Sequence, residues 1–168
     1  MTEPRDSQST PAPDAAPRVS IGLPVYNGED YIENAIGSVL EQSFSDLELI
    51  ISDNASTDAT ESICTRAAES DRRVRYHRCA ENEGAARNYN RVFEVARGEY
   101  FKWAAHDDVC LPSFVERCVE VLDRSPEAVV LAYPGSRFID ERGETIRSDT
   151  DDMRVSGSTP QARLRRVL

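Results

Sequence analysis

Lysine is almost missing from this sequence. Of 20 basic residues in 168, only Lys102 is a lysine, which excludes a P-loop and a phosphoacceptor receiver site, since both chemistries need a suitably placed lysine. Cys64, Cys79, Cys110 and Cys118 form no C-x-x-C pair, so free, buried thiols in a reducing compartment are expected. No G-x-G-x-x-G follows the first predicted strand, where LPVYNGED stands instead, and a dinucleotide cradle is disfavoured. Histidine is scarce, and His77 and His106 share no metal-ligand spacing. Nothing approaches the roughly 18 apolar residues of a membrane span. Positive charge is outweighed by 30 acidic residues, giving a net charge of -10 and a pI of about 4.7, so the chain would repel nucleic acid rather than gather it.

Residues 1–17 lack the charged and apolar regions of a secretory signal, and their Pro/Ala/Ser/Asp content predicts a disordered tail. A cytoplasmic location is expected. From residue 18 strands alternate with helices. Val19–Leu23 is a β-prone run closed by Pro24, Asn27 and Gly28, and Ile32, Ala35, Ile36, Val39 and Leu40 then recur with helical spacing. Leu47–Ile51 predicts a second strand, and the DNASTD stretch that follows is rich in helix-capping and Asx-turn residues. A helix to about Ser70, a strand at Val74–His77 and a helix over Gly84–Ala96 with Val92, Phe93 and Ala96 inward come next. A strand at Tyr100–Ala104 follows, then a helix near Pro112 burying Phe114, Val115, Cys118, Val121 and Leu122. Val129–Tyr133 reads as another buried strand, and Arg137–Arg147 as a hairpin turning at Gly143. The alternation predicts an α/β fold with a mostly parallel central sheet flanked by helices.

In such sheets ligands bind beyond the carboxyl ends of the strands. The polar clusters fall there: Pro24, Tyr26, Asn27 and Glu29 after the first strand, Asp53 and Asn54 after the second, and His106, Asp107 and Asp108 after the fourth. Asp107 and Asp108 are adjacent like charges, which disfavour each other's ionisation unless a cation neutralises them. Mg²⁺ or Mn²⁺ needs only one or two protein carboxylates when substrate phosphates and water complete its shell. Alone, an Asp-Asp pair would as readily shape a turn, Asp53 an Asx turn, and Tyr26 a packing contact. Their convergence at one sheet edge favours a diphosphate site.

VSIGLPVYNGEDYIENAIGSVLEQSFSDLELIISDNASTDAT, ENEGAARNYNRVFEVARGEYFKWAAHDD and LPSFVERCVEVLDRSP, together covering about Arg18 to Tyr133 in order, resemble the inverting family-2 glycosyltransferases. The resemblance implies a Rossmann-like GT-A fold, truncated at its C-terminus. It implies a donor domain over 18–148, with 149–168 a loop and the start of an incomplete acceptor-side segment. Pro24, Tyr26 and Glu29 would line the nucleoside pocket, Asn27 would belong to the same nucleotide-sugar site, Asp53 and Asn54 would face the base, and Asp107 would face the ribose. Asp108 would be the metal ligand. Asn54 stands where many relatives carry a second aspartate, so amide rather than carboxylate chemistry would meet the base. Arg87 would contact the donor, with a helix-surface salt bridge as the alternative.

The function implied is transfer of a sugar from a nucleotide-diphosphate sugar to an acceptor hydroxyl, metal-dependent and inverting, in cell-wall or polysaccharide biosynthesis. No residue is assigned as catalytic base. The alternatives are a truncated, non-catalytic nucleotide-sugar-binding module and, more weakly, a sugar-phosphate nucleotidyltransferase. The acceptor would be a sugar, a lipid-linked glycan or a protein, and a lipid-linked one would bring peripheral contact with the cytoplasmic membrane face. Uncovered apolar surface would favour self-association.

Overall fold

The computed structural model describes residues 15–126, 129–140 and 142–149. Most of the tail expected over 1–17, and nearly all of the segment expected over 149–168, lie outside the described residues. The chain falls into two compact units, 1–124 and 125–168.

The first unit alternates strand and helix as expected: β1 (Val19–Val25), α1 (Ile32–Leu40), β2 (Leu47–Asp53), α2 (Thr60–Ser70), β3 (Val74–Arg78), α3 (Ala85–Glu94), β4 (Tyr100–Trp103) and α4 (Phe114–Arg124). The strands form one parallel sheet in the order β3-β2-β1-β4. Successive steps from β1 to β3 run in one direction, carrying α1 and α2 packed against each other, and the chain then returns across the sheet to β4 through α3. Right-handed crossovers place a helix that travels back on the opposite face. The direction of travel therefore reverses beside β1, leaving a crevice between the carboxyl ends of β1 and β4.

The two sheet faces differ because the strands alternate. Val19, Ile21, Leu23 and Val25 of β1 and Leu47, Leu49 and Ile51 of β2 join Ile32, Ala35, Ile36 and Val39 of α1, Cys64 of α2, and Val115 and Val119 of α4 in one apolar core. Gln42, buried at the end of α1, ties that helix to the chain entering α4. It donates to the carbonyls of Cys110 and Leu111 and accepts from the Val115 N–H.

The other face carries Ser20, Gly22, Glu48 and Ser52, so α3 meets small and polar groups there. A Cβ at Gly22 would lie 2.6 Å from a Val92 methyl, and one at Gly98 would lie 2.5 Å from the Ser20 backbone nitrogen. Glycine at these positions lets α3 and its exit loop press onto β1. Glu48 is 3% exposed and fully engaged. Ser20 Oγ–H, the Arg97 N–H and the Arg75 and Arg97 guanidinium groups all donate to it.

This polar face accounts for one departure from the sequence reading. Phe93 is 54% exposed and Ala96 only half-buried, whereas Asn88 and Val92 are the inward residues of α3. Asn88 is turned inward because the strands offer it polar partners. Phe93 lies on the flank instead, against Phe101 and Trp103, with ring centroids 5.1 and 5.9 Å away. In α4 the inward pair is Val115 and Val119, one helical turn apart, and Val121 is 53% exposed.

The second unit contains an antiparallel hairpin of β5 (Ser136–Ile139) and β6 (Thr145–Asp149). Its turn is closed by the Gly143 N–H on the Asp140 carbonyl, with Gly143 at φ 81°. This is the hairpin expected over Arg137–Arg147. The strand expected at Val129–Tyr133 is absent: these residues pair with no described strand, and Val130 and Leu131 are 87% and 70% exposed. An apolar run signals a need for burial but names no partner to satisfy its backbone groups.

Candidate functional site

The crevice is an open cleft of roughly 240 Å³. Pro24, Val25 and Tyr26 form one wall at the end of β1, Asn54 and Asn82 a second, and Asn88, Tyr89 and His106 complete it. Tyr26 is 45% exposed, leaving its ring available to a flat ligand. His106 is seated by Gly28, whose missing Cβ would otherwise fall 2.7 Å from the imidazole carbon.

The loop after β1 and the loop after β2 are stitched together by side chains. Asn27, at φ 52°, accepts the Thr57 N–H at 2.8 Å, and its own N–H donates to Ser56 Oγ. Glu29 accepts the Ala59 N–H at 2.7 Å while its N–H donates to Asp58. Thr60 Oγ1 receives the Gly28 N–H. Residues some thirty apart in the chain thus form one rigid rim above the entry to α2.

Asp53 lies beneath that rim with no exposed surface. One carboxylate oxygen accepts the Ser56 N–H, the other the Tyr76 hydroxyl, and Arg78 approaches at 3.5 Å. Burial, with this hydrogen bond and charge added, drives the Tyr76 hydroxyl pKa upward, so the phenol stays a donor to Asp53. Burial beside Asp53 and Asp58 likewise pushes the Cys64 thiol up to about 12, so that it acts as an inert core group. All four cysteines are free; Cys64 and Cys79 are buried and the other two half-buried.

Asn88 pins the strand ends below the cleft. Its amide nitrogen donates to the Val25 and Ser52 carbonyls, and its oxygen accepts the Ser52 hydroxyl at 2.6 Å. Above it, Asn54 accepts the Glu83 N–H and donates to Asn82.

Asp107 and Asp108 directly follow His106 and are exposed. Among the described residues neither carboxylate has a hydrogen-bond or ion-pair partner, while the Asp108 N–H closes a turn onto the Ala105 carbonyl. Among the described residues no group of three or more His, Cys, Asp or Glu could hold a metal by itself. Two free adjacent carboxylates fit a hard divalent cation that takes its remaining ligands from phosphate and water.

Of the residues singled out in the sequence, the structure brings Pro24, Tyr26 and Asn54 to the cleft wall, while Asp107 and Asp108 do not line it and are the next residues in the chain after His106, which does. Asn27, Glu29 and Asp53 hold the loops instead. Arg87 lies on the exposed side of α3, 3.6 Å from Glu83, in the helix-surface salt bridge that was its alternative. Sequence reasoning missed Asn82, Asn88 and Tyr89, and put His106 in the third polar cluster without giving it a role. Only His106 carried a signal, its place beside Asp107.

A profile of Glycosyl transferase family 2 matches residues 20–166. The chain is 33% identical to a glycosyltransferase of Rickettsia typhi over 84% of its length and 43% of that protein's. It is 38% identical to TuaG of Bacillus subtilis, a protein named for teichuronic acid biosynthesis, over 65% of this chain and 44% of that one. A glycosyltransferase of Rickettsia felis matches at 34% identity, over 78% of this chain and 21% of its own. The chain thus spans about a fifth to two fifths of the length of these relatives.

Among solved structures, S. aureus TarS 1-349 in complex with UDP-GlcNAc superposes with a TM-score of 0.59 at 24% identity, over 63% of this chain and 31% of that one. The mannosyltransferase PcManGT from Pyrobaculum calidifontis, in complex with GDP-Man and Mn²⁺, superposes with a TM-score of 0.51 at 31% identity, over 64% and 32%. This chain belongs to glycosyl transferase family 2 and has the GT-A fold. Among the described residues no helix is long and apolar enough to cross a membrane.

Proposed function

We propose that this chain binds a nucleotide-diphosphate sugar in the cleft between β1 and β4 and serves as the donor-binding part of a metal-dependent, inverting glycosyltransferase. The observation that carries this reading is a pair of exposed carboxylates, without partners among the described residues, next in the chain to His106, which lines a cleft at the topological switch point. Tyr26 offers a face to the base, and Asn54 and Asn82 offer its polar edge. Asp107 is the ribose contact and Asp108 the ligand of Mg²⁺ or Mn²⁺. Asn27, Glu29 and Asp53 position these groups by fixing the loops, so their part in donor binding is indirect. Arg87, on the outer surface of α3, reaches the donor only by exchanging its ion pair with Glu83.

When bound, the cation offsets the negative charge that builds on the departing nucleoside diphosphate. The protein's own contribution is to hold the nucleoside and to keep two carboxylates free for that cation. The base that takes the acceptor proton is assigned to no residue of this chain. The donor domain is placed at 18–148, with 149–168 leading toward the acceptor side. A lipid-linked, sugar or protein acceptor, contact with the cytoplasmic membrane face, self-association, and a part in cell-wall polysaccharide synthesis all belong to this proposal.

Calorimetric titration of nucleoside diphosphates into the purified chain tests it. One nucleotide per chain is expected to bind with Mn²⁺ present, with affinity falling at least tenfold in EDTA. A folded sample that binds no nucleotide in either condition would refute the reading.

A further inference from the structure

After β4 the chain is tied down at two points. The Ala104 N–H bonds to the Gly22 carbonyl of β1. At Cys110 the N–H donates to Ser38 Oγ and the carbonyl accepts from Gln42. Asp107 and Asp108 lie between, exposed and without partners among the described residues, and Val109 beyond them is 56% exposed. A turn closed by the Asp108 N–H on the Ala105 carbonyl gives the stretch its local shape. That bond lies within the turn, so it does not tie the turn to the rest of the fold.

His106, a central residue of the turn, supplies the tie. Its ring is half-buried, and neither ring nitrogen has a hydrogen-bond partner among the described residues, so packing alone seats it. The seat is Gly28. A Cβ there would fall 2.7 Å from the imidazole Cδ2 and 2.7 Å from a Val25 methyl. The Gly28 backbone is not in the left-handed region, so glycine is present for room rather than for conformation. Gly28 itself cannot retreat: its N–H donates to Thr60 Oγ1, and its carbonyl accepts the Tyr31 and Ile32 N–H groups at the entry to α1. Val25 is buried, so an added methyl would displace the His106 ring.

We infer that His106 is a positioning residue: seated over Gly28, it joins the turn carrying Asp107 and Asp108 to the rim that forms the nucleoside side of the cleft. The inference rests on the donor-site reading above. Ligands that are already placed lose less freedom when the cation and diphosphate arrive. Groups that orient a metal ligand typically cost about 10- to 100-fold in metal affinity when removed.

The test is calorimetric titration of UDP, GDP, CDP and dTDP into the full chain, in Mn²⁺ and in EDTA, for wild type, Gly28→Ala, His106→Ala and His106→Leu. The readout is the ratio of the two affinities for the nucleotide that wild type binds best, with a melting curve for each variant. Gly28→Ala and His106→Ala are each expected to lower that ratio about tenfold or more. His106→Leu, which refills the seat without ring nitrogens, is expected to keep it near the wild-type value. Should Gly28→Ala fail to fold, the two His106 variants decide. A ratio unmoved in His106→Ala, or in a folded Gly28→Ala, would overturn the inference while leaving the donor site intact. Leucine as damaging as alanine would also overturn it, since the ring nitrogens would then act on the ligand directly. Wild-type protein that binds none of the four nucleotides would remove the donor-site reading and this inference with it.

Discussion

Replacing Asp108 with alanine is expected to lower Mn²⁺-dependent nucleoside diphosphate affinity by on the order of 100-fold, about 2.7 kcal/mol, while leaving the melting temperature unchanged. The side chain is exposed and has no partner among the described residues, so its removal disturbs no native contact. An exposed residue without contacts contributes little to folding. The same substitution removes one of the two charges available to a cation that draws few ligands from protein. Asp107→Ala is expected to weaken binding less, because its proposed partner is an uncharged hydroxyl. Titrations of both variants in Mn²⁺ and in EDTA check this: the wild type in EDTA and Asp108→Ala in Mn²⁺ should give similar, weak affinities.

Replacing Glu48 with alanine is expected to cost about 2 kcal/mol, and the cost should depend on pH. Burial opposes ionisation of this carboxyl, but the hydrogen bonds from Ser20, Arg75 and Arg97 outweigh it, and the folded pKa lies below the ordinary value of 4.5. Removing one partner of a buried ion pair costs about 3–5 kcal/mol. The Arg75 and Arg97 side chains are 40% and 53% exposed and stay hydrated, so the lower figure of about 2 is appropriate. A carboxyl depressed by folding stabilises above its unfolded pKa and loses that contribution as pH falls through the folded one. Urea unfolding of wild type and Glu48→Ala should therefore differ most near neutral pH, with the gap narrowing progressively below about pH 4.5.

Apart from the exposed β5–β6 hairpin, which was read from its glycine turn, the elements most legible in the sequence are those that bury apolar side chains at a regular period. Ile32, Ala35, Ile36 and Val39 mark the inward stripe of α1, and β1 and β2 are buried along their whole length. That polar residues would gather at the carboxyl edge of the sheet followed from the alternation of strand and helix, whereas the switch point between β1 and β4 depends on the strand order, which the alternation does not give. Residue roles within the cleft were harder to see. Asn88 is a polar residue at an inward helical position, and periodicity reads such a residue as surface. Asn27, Glu29 and Asp53 are polar residues in loops, where a ligand contact and a loop-fixing hydrogen bond leave the same trace. Only their partners distinguish them: Thr57 and Ala59, thirty residues away, for Asn27 and Glu29, and Ser56 and Tyr76 for Asp53. Val129–Tyr133 has the composition of a buried strand, but composition does not supply the neighbouring strand.

Asp107 and Asp108 stand as the proposed ribose and metal contacts, and among the described residues both carboxylates are without partners. Carboxylates with a structural task, such as Asp53 and Glu48, are enclosed by donors in the same fold.

The most direct test of the account is residue-resolved amide NMR of the chain with substoichiometric Mn²⁺, before and after addition of a nucleoside diphosphate. The paramagnetic ion should broaden amides of Ala105–Val109 selectively and more strongly once nucleotide is present, with Tyr26, Asn54 and Asn82 shifting together. Broadening centred elsewhere, or nucleotide shifts that avoid the β1–β4 cleft, would contradict the placement of the donor site.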